Sequence, residues 1–509
     1  MNKTSVVIST PSDIDRVKSA LVRSFHNLKE IAEIIEFEFE VLDSFDWRLH
    51  KKGWQLLNKE GHYSIVRAKD GKVISEIDAG RKKDARFIKD FPDSNFSRKL
   101  VEVLEMRALL PVAKFKKKVN RVSLCNEGDK ITAHIEFEEL TIPYTGHTVT
   151  RCSIVPVRGY NNESREIRKI FNELNMPPAR VPAVVDLLEQ VGIRPGSYSS
   201  KINVILKPDI SAAKSVQLIL GSLVKIMHLN IEGVKENIDT EFLHDLRVAI
   251  RRARSLLGQT EGVIDVKTKV RLQTYLKTMS AATGRVRDLD VYLLKKDEYL
   301  SKVPESMKNG VIRLFSVLQR RRRDARNRMI KAIAGAEFKD ALEGLDRFIE
   351  SDLIVKENTT GIISAADLAR KVIFKRFTKV IKYGGRISID TPINEFHRLR
   401  IECKKLRYLM EFFESLFPEH KVKLLIGQLK KLQENLGDFN DLSVQQKFLN
   451  EYIAGIDPKT SQSIMLAAAT GSLITLLAYD QAQVRSHFLG VFRVFSSNEN
   501  KEHFKTLFN

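Results

Sequence analysis

HDLRVAIRRARSLL, His244 to Leu257, and FHRLRIECKKLRYLMEFF, Phe396 to Phe413, decide how this chain is read. The two stretches align when one is shifted by 153 residues, which brings His244, Leu246 and Arg247 onto His397, Leu399 and Arg400. The same shift carries Arg251, Arg252 and Arg254 onto Lys404, Lys405 and Arg407. It also carries ISAA at Ile210 onto ISAA at Ile363, Lys277 onto Lys430, Gly284 onto Gly437, and Asp288-Leu289 onto Asp441-Leu442. A constant, gapless offset is the signature of an internal repeat, and a 3.6-residue apolar period makes each copy helical. The expectation is an all-α duplicated pair, repeat one at 205–355 and repeat two at 360–509.

Placed on a helix, His244, Arg247, Arg251 and Arg254 fall within an arc of about 80° and form a stripe about 15 Å long. That is too long for one phosphate group and suits a chain of them. Leu246, Ile250, Ala253 and Leu257 take another side, which can bury against the bundle. His397, Arg400, Lys404 and Arg407 repeat the layout against Leu399, Cys403 and Leu406. A single basic helix face is ordinarily solvated, and a lone histidine is ordinarily structural. Solubility does not explain a position-by-position match between copies. A further basic run, Arg320 to Arg323 with Arg326 and Arg328 against Asp324, has a much less charged counterpart near Gln481 to Arg493. The two halves of the site are therefore unequal.

Charge places the partner in the same part. Across 509 residues, 85 Lys+Arg against 64 Asp+Glu gives +21. Residues 201–509 hold 52 and 36 of these, a net +16, whereas the first 200 hold 33 and 28, a net +5. Such an excess attracts phosphate polymers, nucleic acid or an anionic surface. Three scattered cysteines, Cys125, Cys152 and Cys403, offer neither a disulfide framework nor a zinc site. The start, MNKTSVVIST, does not read as a signal peptide, and Thr460 to Tyr479 reads as a buried helix rather than a membrane span. A cytoplasmic protein with no membrane partner is expected.

Residues 1–200 read differently. Ser5 to Ser9, Glu36 to Val41, Lys72 to Ile77 and Ile131 to Phe137 have strand character, and Ser12 to Leu28 has a helical pattern. The expectation is an α+β domain with an antiparallel sheet. Two helices follow within 161–192, split by Pro177, Pro178 and Pro182, and Gly192 to Asp209 reads as a linker.

The two helical blocks, with GRVRDLDVYLL (Gly284 to Leu294) and LQENLGDFNDL (Leu432 to Leu442), resemble the CHAD family, the conserved-histidine α-helical domains. The resemblance implies two four-helix bundles related by pseudo-twofold symmetry, with inorganic polyphosphate held in a basic groove and association with polyphosphate granules. It implies a binding set of His244, Arg247, Arg251, Arg252, Arg254, Lys277, Arg323, His397, Arg400, Lys404, Lys405, Arg407, Lys430 and Lys431. No cofactor is implied. The N-terminal part, through VLDSFDWRLHKKGWQLL (Val41 to Leu57) and EMRALLPVAKFKKKVNRVSL (Glu105 to Leu124), resembles a divergent CYTH, or triphosphate tunnel, domain with a barrel-like sheet. Active members open on a Glu-x-Glu-x-Lys strand and carry an Arg-rich strand. Here the corresponding strands read SVVIS and WQLLNK, so no enzyme activity or metal site is expected. Glu36, Glu38 and Glu40 line one strand face, read as an outward acidic face opposite Phe37 and Phe39 rather than as metal ligands. The competing functions are a metal-dependent triphosphate or polyphosphate hydrolase and a nucleic-acid-binding protein. The latter lacks aromatics interleaved with the cations, Tyr408 excepted.

Overall fold

A computed structural model describes residues 4–25, 28–80, 84–126, 128–352, 360–388, 390–457 and 459–509. The chain divides into two compact units, Met1–Ser199 and Ser200–Asn509.

The first unit is built on eight antiparallel strands: β1 (Thr4–Ile8), β2 (Leu28–Asp43), β3 (Trp54–Lys59), β4 (His62–Arg67), β5 (Val73–Asp78), β6 (Leu110–Cys125), β7 (Ile131–Thr141) and β8 (Thr148–Pro156). Their order is β1-β8-β7-β6-β2-β3-β4-β5. Among the described residues no ladder joins β1 to β5, so the barrel-like sheet expected from the sequence is not closed by hydrogen bonds. Five helices accompany it: α1 (Pro11–Ser24), α2 (Arg48–Lys51), α3 (Asn95–Leu104), α4 (Asn161–Glu173) and α5 (Ala183–Gln190). The helix read through to Leu28 stops earlier, at Ser24, and Leu28 opens β2 in register with Leu124. Pairing along the 16 residues of β2 outweighs the helical pattern at its edge. Period-two alternation sets the faces of β2: Phe39 and Val41 are buried with Phe115 and Leu140, while Glu36, Glu38 and Glu40 oppose Lys118, Lys116 and Lys114 of β6. The Glu36 carboxylate lies 2.5 Å from the Lys116 amine.

The second unit is helical: α6 (Ala212–Glu236), α7 (Thr240–Gln259), α8 (Val266–Leu293), α9 (Lys296–Lys302), α10 (Glu305–Ala334), α11 (Ala336–Glu350), α12 (Ala365–Gly384), α13 (Ile393–Phe412), α14 (Glu419–Ala454), α15 (Ser461–Phe495) and α16 (Asn498–Phe508). The starts of α6, α7 and α8 recur 153 residues later as the starts of α12, α13 and α14. The caps recur as well, since the Ser211 hydroxyl accepts from the Lys214 amide and the Ser364 hydroxyl accepts from the Asp367 amide. Between these caps the Ala212 amide donates to the Ile363 carbonyl and the Ala365 amide donates to the Ile210 carbonyl, both at 2.8 Å. The 153-residue shift exchanges one bond for the other. A second pair behaves alike: Ala213 to Gly361 and Ala366 to Pro208.

Within the helices the apolar stripes are buried as the period demands: Leu246, Ile250, Ala253 and Leu257 on α7, and Leu399, Cys403 and Leu406 on α13. Helix α15 departs from expectation. Thr460 to Tyr479 was expected to lie inside, yet only 28% of its most apolar window is buried, and Tyr479 is 66% exposed. By length and composition alone, α6 and α15 are both apolar enough to cross a membrane, α6 with 61% of its window buried. The exposed face of α15 carries Ile464, Met465, Tyr479, Leu489 and Val494 beside the small Ala468, Ala478 and Ala482.

Candidate polyanion site

Helix α7 meets α13 directly, and their paired stripes come together there. Arg251 on α7 donates from Nε to the Tyr408 hydroxyl on α13 at 2.9 Å. Lys404, the counterpart of Arg251, lies beside it. Burial pulls the Lys404 amine down to about 7, and the charges of Arg400, Arg251 and Arg407 push the same way while Asp441 opposes them. Arg247 and Arg400 are also depressed, again first by burial. Arg251 and Arg287 add to the effect at Arg247 against Asp288, and Arg251 adds to it at Arg400 against Asp441. Like charges are thus held close in partly desolvated surroundings, an arrangement that an anion relieves.

A pocket of about 700 Å³ opens beside this cluster, lined by Arg251, Arg254 and Ser255 of α7, Val270, Gln273, Thr274 and Lys277 of α8, and Ile401, Lys404, Lys405 and Tyr408 of α13. Five of the fourteen residues expected to bind are therefore brought into one cavity. Arg247 lies outside its wall, donating to the Ser280 carbonyl and the Thr283 hydroxyl of α8, both at 3.2 Å. Arg400 also lies outside, with Nη2 3.3 Å from the Asp441 carboxylate.

Other expected ligands have structural partners. Arg252 donates to the Ser200 carbonyl at 2.7 Å and pairs with Glu411 at 3.0 Å. Arg407 reaches the same carboxylate at 3.4 Å, and both guanidinium groups flank the Tyr408 ring at 5.7 Å. Lys405 pairs with Glu402 at 3.0 Å, and Glu402 also holds Arg376. Arg323 is exposed on α10, and its neighbour Arg322 turns inward to the buried Asp290 at 2.5 Å. Lys430 and Lys431 are exposed on α14 and line no part of the pocket.

The two histidines are held at matched positions by different groups. Arg287 donates to His244 Nδ1 at 2.7 Å, so that nitrogen accepts and the imidazole proton sits on Nε2. His397 Nδ1 lies 2.7 Å from the Asn440 side-chain oxygen, where it donates. Asn440 is Arg287 shifted by 153.

Sequence reading missed Ser255, Val270, Gln273, Thr274 and Ile401, together with the anchoring roles of Tyr408 and Glu411. A signal was present at two of these positions. The repeat places Ser255 against Tyr408 and Gly258 against Glu411, so the second copy carries a bulky ring and an acid where the first has open space.

Residues 218–450 match the model of the CHAD domain. The helical unit contains a CHAD domain. Among solved structures, the chain is similar to the CHAD domain from the plant Ricinus communis, at 24% identity and a TM-score of 0.49 over 58% of this chain and 96% of that one. It is also similar to PptA from Streptomyces chartreusis, at 13% identity and a TM-score of 0.45 over 56% of this chain and 99% of that one. A protein from Bacillus halodurans, described as a candidate adenylate cyclase, aligns at 10% identity and a TM-score of 0.25 over 36% of this chain and 94% of that one. No curated protein matches the chain.

Proposed function

We propose that the CHAD domain binds inorganic polyphosphate and that the protein acts as a non-catalytic scaffold or targeting module, drawn to polyphosphate granules in the cytoplasm. The observation that carries this reading is the Arg251–Lys404 pair at the meeting of α7 and α13, with Arg247 and Arg400 beyond it in the two copies. Burial and mutual repulsion depress Arg247, Arg400 and Lys404 together. A chain of phosphates laid across the helix crossing neutralises them in sequence. The matched hydrogen bonds between the Ser211 and Ser364 caps support a twofold relation between the repeats. Under that relation Arg251 and Lys404 stand next to the axis. The expected set then sorts by role. Arg247, Arg251, Arg254, Lys277, Arg400, Lys404 and Lys405 engage the polymer. His244 and His397 border the line, Arg252 and Arg407 clamp Tyr408 through Glu411, and Arg323, Lys430 and Lys431 extend the attracting field.

The test is titration of the full chain with long polyphosphate over a range of salt, using Arg251→Ala with Lys404→Ala. Each lost contact weakens binding by about 1.5–3 kcal/mol and flattens the salt slope. The control, Arg347→Ala with Lys459→Ala, removes two cations that are largely exposed on α11 and in the α14–α15 connection. Equal losses in the two pairs would make binding a matter of net charge and end the site model. For the first unit, the lysines opposite Glu36, Glu38 and Glu40 support an outward ion-paired face. Mg²⁺- or Mn²⁺-dependent turnover of triphosphate that disappears in Glu36→Ala with Glu38→Ala would establish the hydrolase reading instead.

A further inference from the structure

The pocket between α7, α8 and α13 has features that a bare phosphate chain does not use. Val270 and Ile401 sit on its wall 55% and 38% exposed, beside Arg251, Arg254, Lys277 and Lys404. Inorganic polyphosphate has no apolar surface, so bound alone it leaves both aliphatic side chains wet. Neutral hydrogen-bonding groups lie on the same wall: the Gln273 amide, the Ser255 hydroxyl, which accepts from the Gln259 amide at 2.8 Å, and the Thr274 hydroxyl, which donates to the Val270 carbonyl at 2.9 Å. A plain acyl chain would cover the aliphatics but leave the Gln273 amide and the neighbouring cations without a partner. The pocket's volume, about 700 Å³, is that of a small-molecule site rather than of a narrow track.

The second copy does not repeat these residues. Shifted by 153, Val270 becomes Lys423 and Ser255 becomes Tyr408, so the second copy replaces an aliphatic with a cation and a small hydroxyl with a buried ring. A uniform polymer track has no need of this difference.

We propose that this pocket takes a nucleoside polyphosphate, its phosphates on Arg251, Arg254, Lys277 and Lys404 and its base against Val270 and Ile401. The base is the ligand part that is at once apolar on its faces and polar on its edges, which matches two aliphatics beside a hydroxyl and an amide. The inference rests on the polyphosphate reading for its cations alone; the aliphatic wall is an independent observation.

The test compares ATP, GTP and tripolyphosphate on the full chain with EDTA present, at one ionic strength and by calorimetry, alongside long polyphosphate. At least one nucleotide is expected to bind tenfold or more tightly than tripolyphosphate. Val270→Ser with Ile401→Ser should remove that advantage while leaving tripolyphosphate and long polyphosphate unchanged, which also shows that the variant is folded. Equal affinity for tripolyphosphate and both nucleotides overturns the proposal, and so does an advantage that survives the double substitution. Nucleotide binding without long-polyphosphate binding overturns the polymer reading and leaves this one standing.

Discussion

Lys404 makes the site sensitive to pH in a direction that can be worked out beforehand. Its amine titrates near 7 in the empty site because burial and the charges of Arg400, Arg251 and Arg407 all disfavour the ammonium form. A bound phosphate chain reverses the balance and raises that pKa. Above pH 7, binding therefore takes up a proton, and affinity falls with rising pH by up to about tenfold per unit, about 1.4 kcal/mol, until the pKa of the complex is reached. Stability of the free protein moves the other way. An unfolded lysine keeps its proton up to about 10.5, so between pH 7 and 10.5 the unfolded state holds more protons and the folded state gains on it as pH rises. The assay is calorimetric titration with long polyphosphate from pH 6 to 9 in two buffers of different ionisation enthalpy, which counts the protons taken up. Lys404→Arg keeps a cation whose pKa lies far above the window and should bind with a flat pH profile. An unchanged slope in Lys404→Arg, or no proton uptake in the parent protein at pH 8, would refute the assignment.

Glu411→Ala should lower stability by about 1–3 kcal/mol in denaturant titration, because it strands the Arg252 and Arg407 guanidinium groups, both largely buried. The same variant should keep polyphosphate affinity or raise it, since it removes an acid beside the cluster; a large loss of affinity would show that the Tyr408 clamp shapes the site. Arg252→Ala should likewise cost stability more than binding, the reverse of Arg251→Ala. Gly233→Ala should destabilise by about 1–3 kcal/mol despite the better helix propensity of alanine. Its Cβ would stand 2.2 Å from the Phe242 ring where α6 turns into α7, and an unchanged melting temperature would mean that the ring swings away freely.

Much of the helical unit was legible because duplication writes the same physical constraints twice. Ser211 and Ser364, Leu246 and Leu399, and Arg251 and Lys404 are in turn the caps, the core positions and the stripe cations of the two copies, and the offset between copies fixes the starts of six helices. The first unit offered no such second reading. The strand character of Glu36 to Val41 came through its alternation, but the extension of β2 back to Leu28 depends on pairing with Leu124 nearly a hundred residues away. Long-range pairing of that kind leaves no local mark. The site was legible to the level of which helix faces carry cations and no further. Whether an arginine meets a ligand or a carboxylate depends on what lies across from it, and Arg251 and Arg252, adjacent in sequence, diverge on that point alone: one meets Tyr408 at the pocket, the other Glu411 behind it.

The 153-residue shift also explains what lines the cavity at the crossing of α7 and α13. A repeat supplies two copies of each cation, and where α7 crosses α13 it sets Arg251 beside Lys404. An exact repeat would carry the same residue types at every matched position. Tyr408 stands where the first copy has Ser255, and Glu411, in the place of Gly258, draws Arg252 and Arg407 onto the ring. Ser255 is small and Val270 carries no charge, and both line the cavity with Arg254, Lys277 and Tyr408. Both halves thus contribute to the cavity, α7 and α8 from the first and α13 from the second, while Glu411 of the second braces the crossing. Giving the second copy the residues of the first tests the argument. Tyr408→Ser with Glu411→Gly should widen the cavity and strip Arg252 and Arg407 of their shared acid, lowering stability by about 1–3 kcal/mol in denaturant titration, and an unchanged stability would show that the crossing is braced elsewhere.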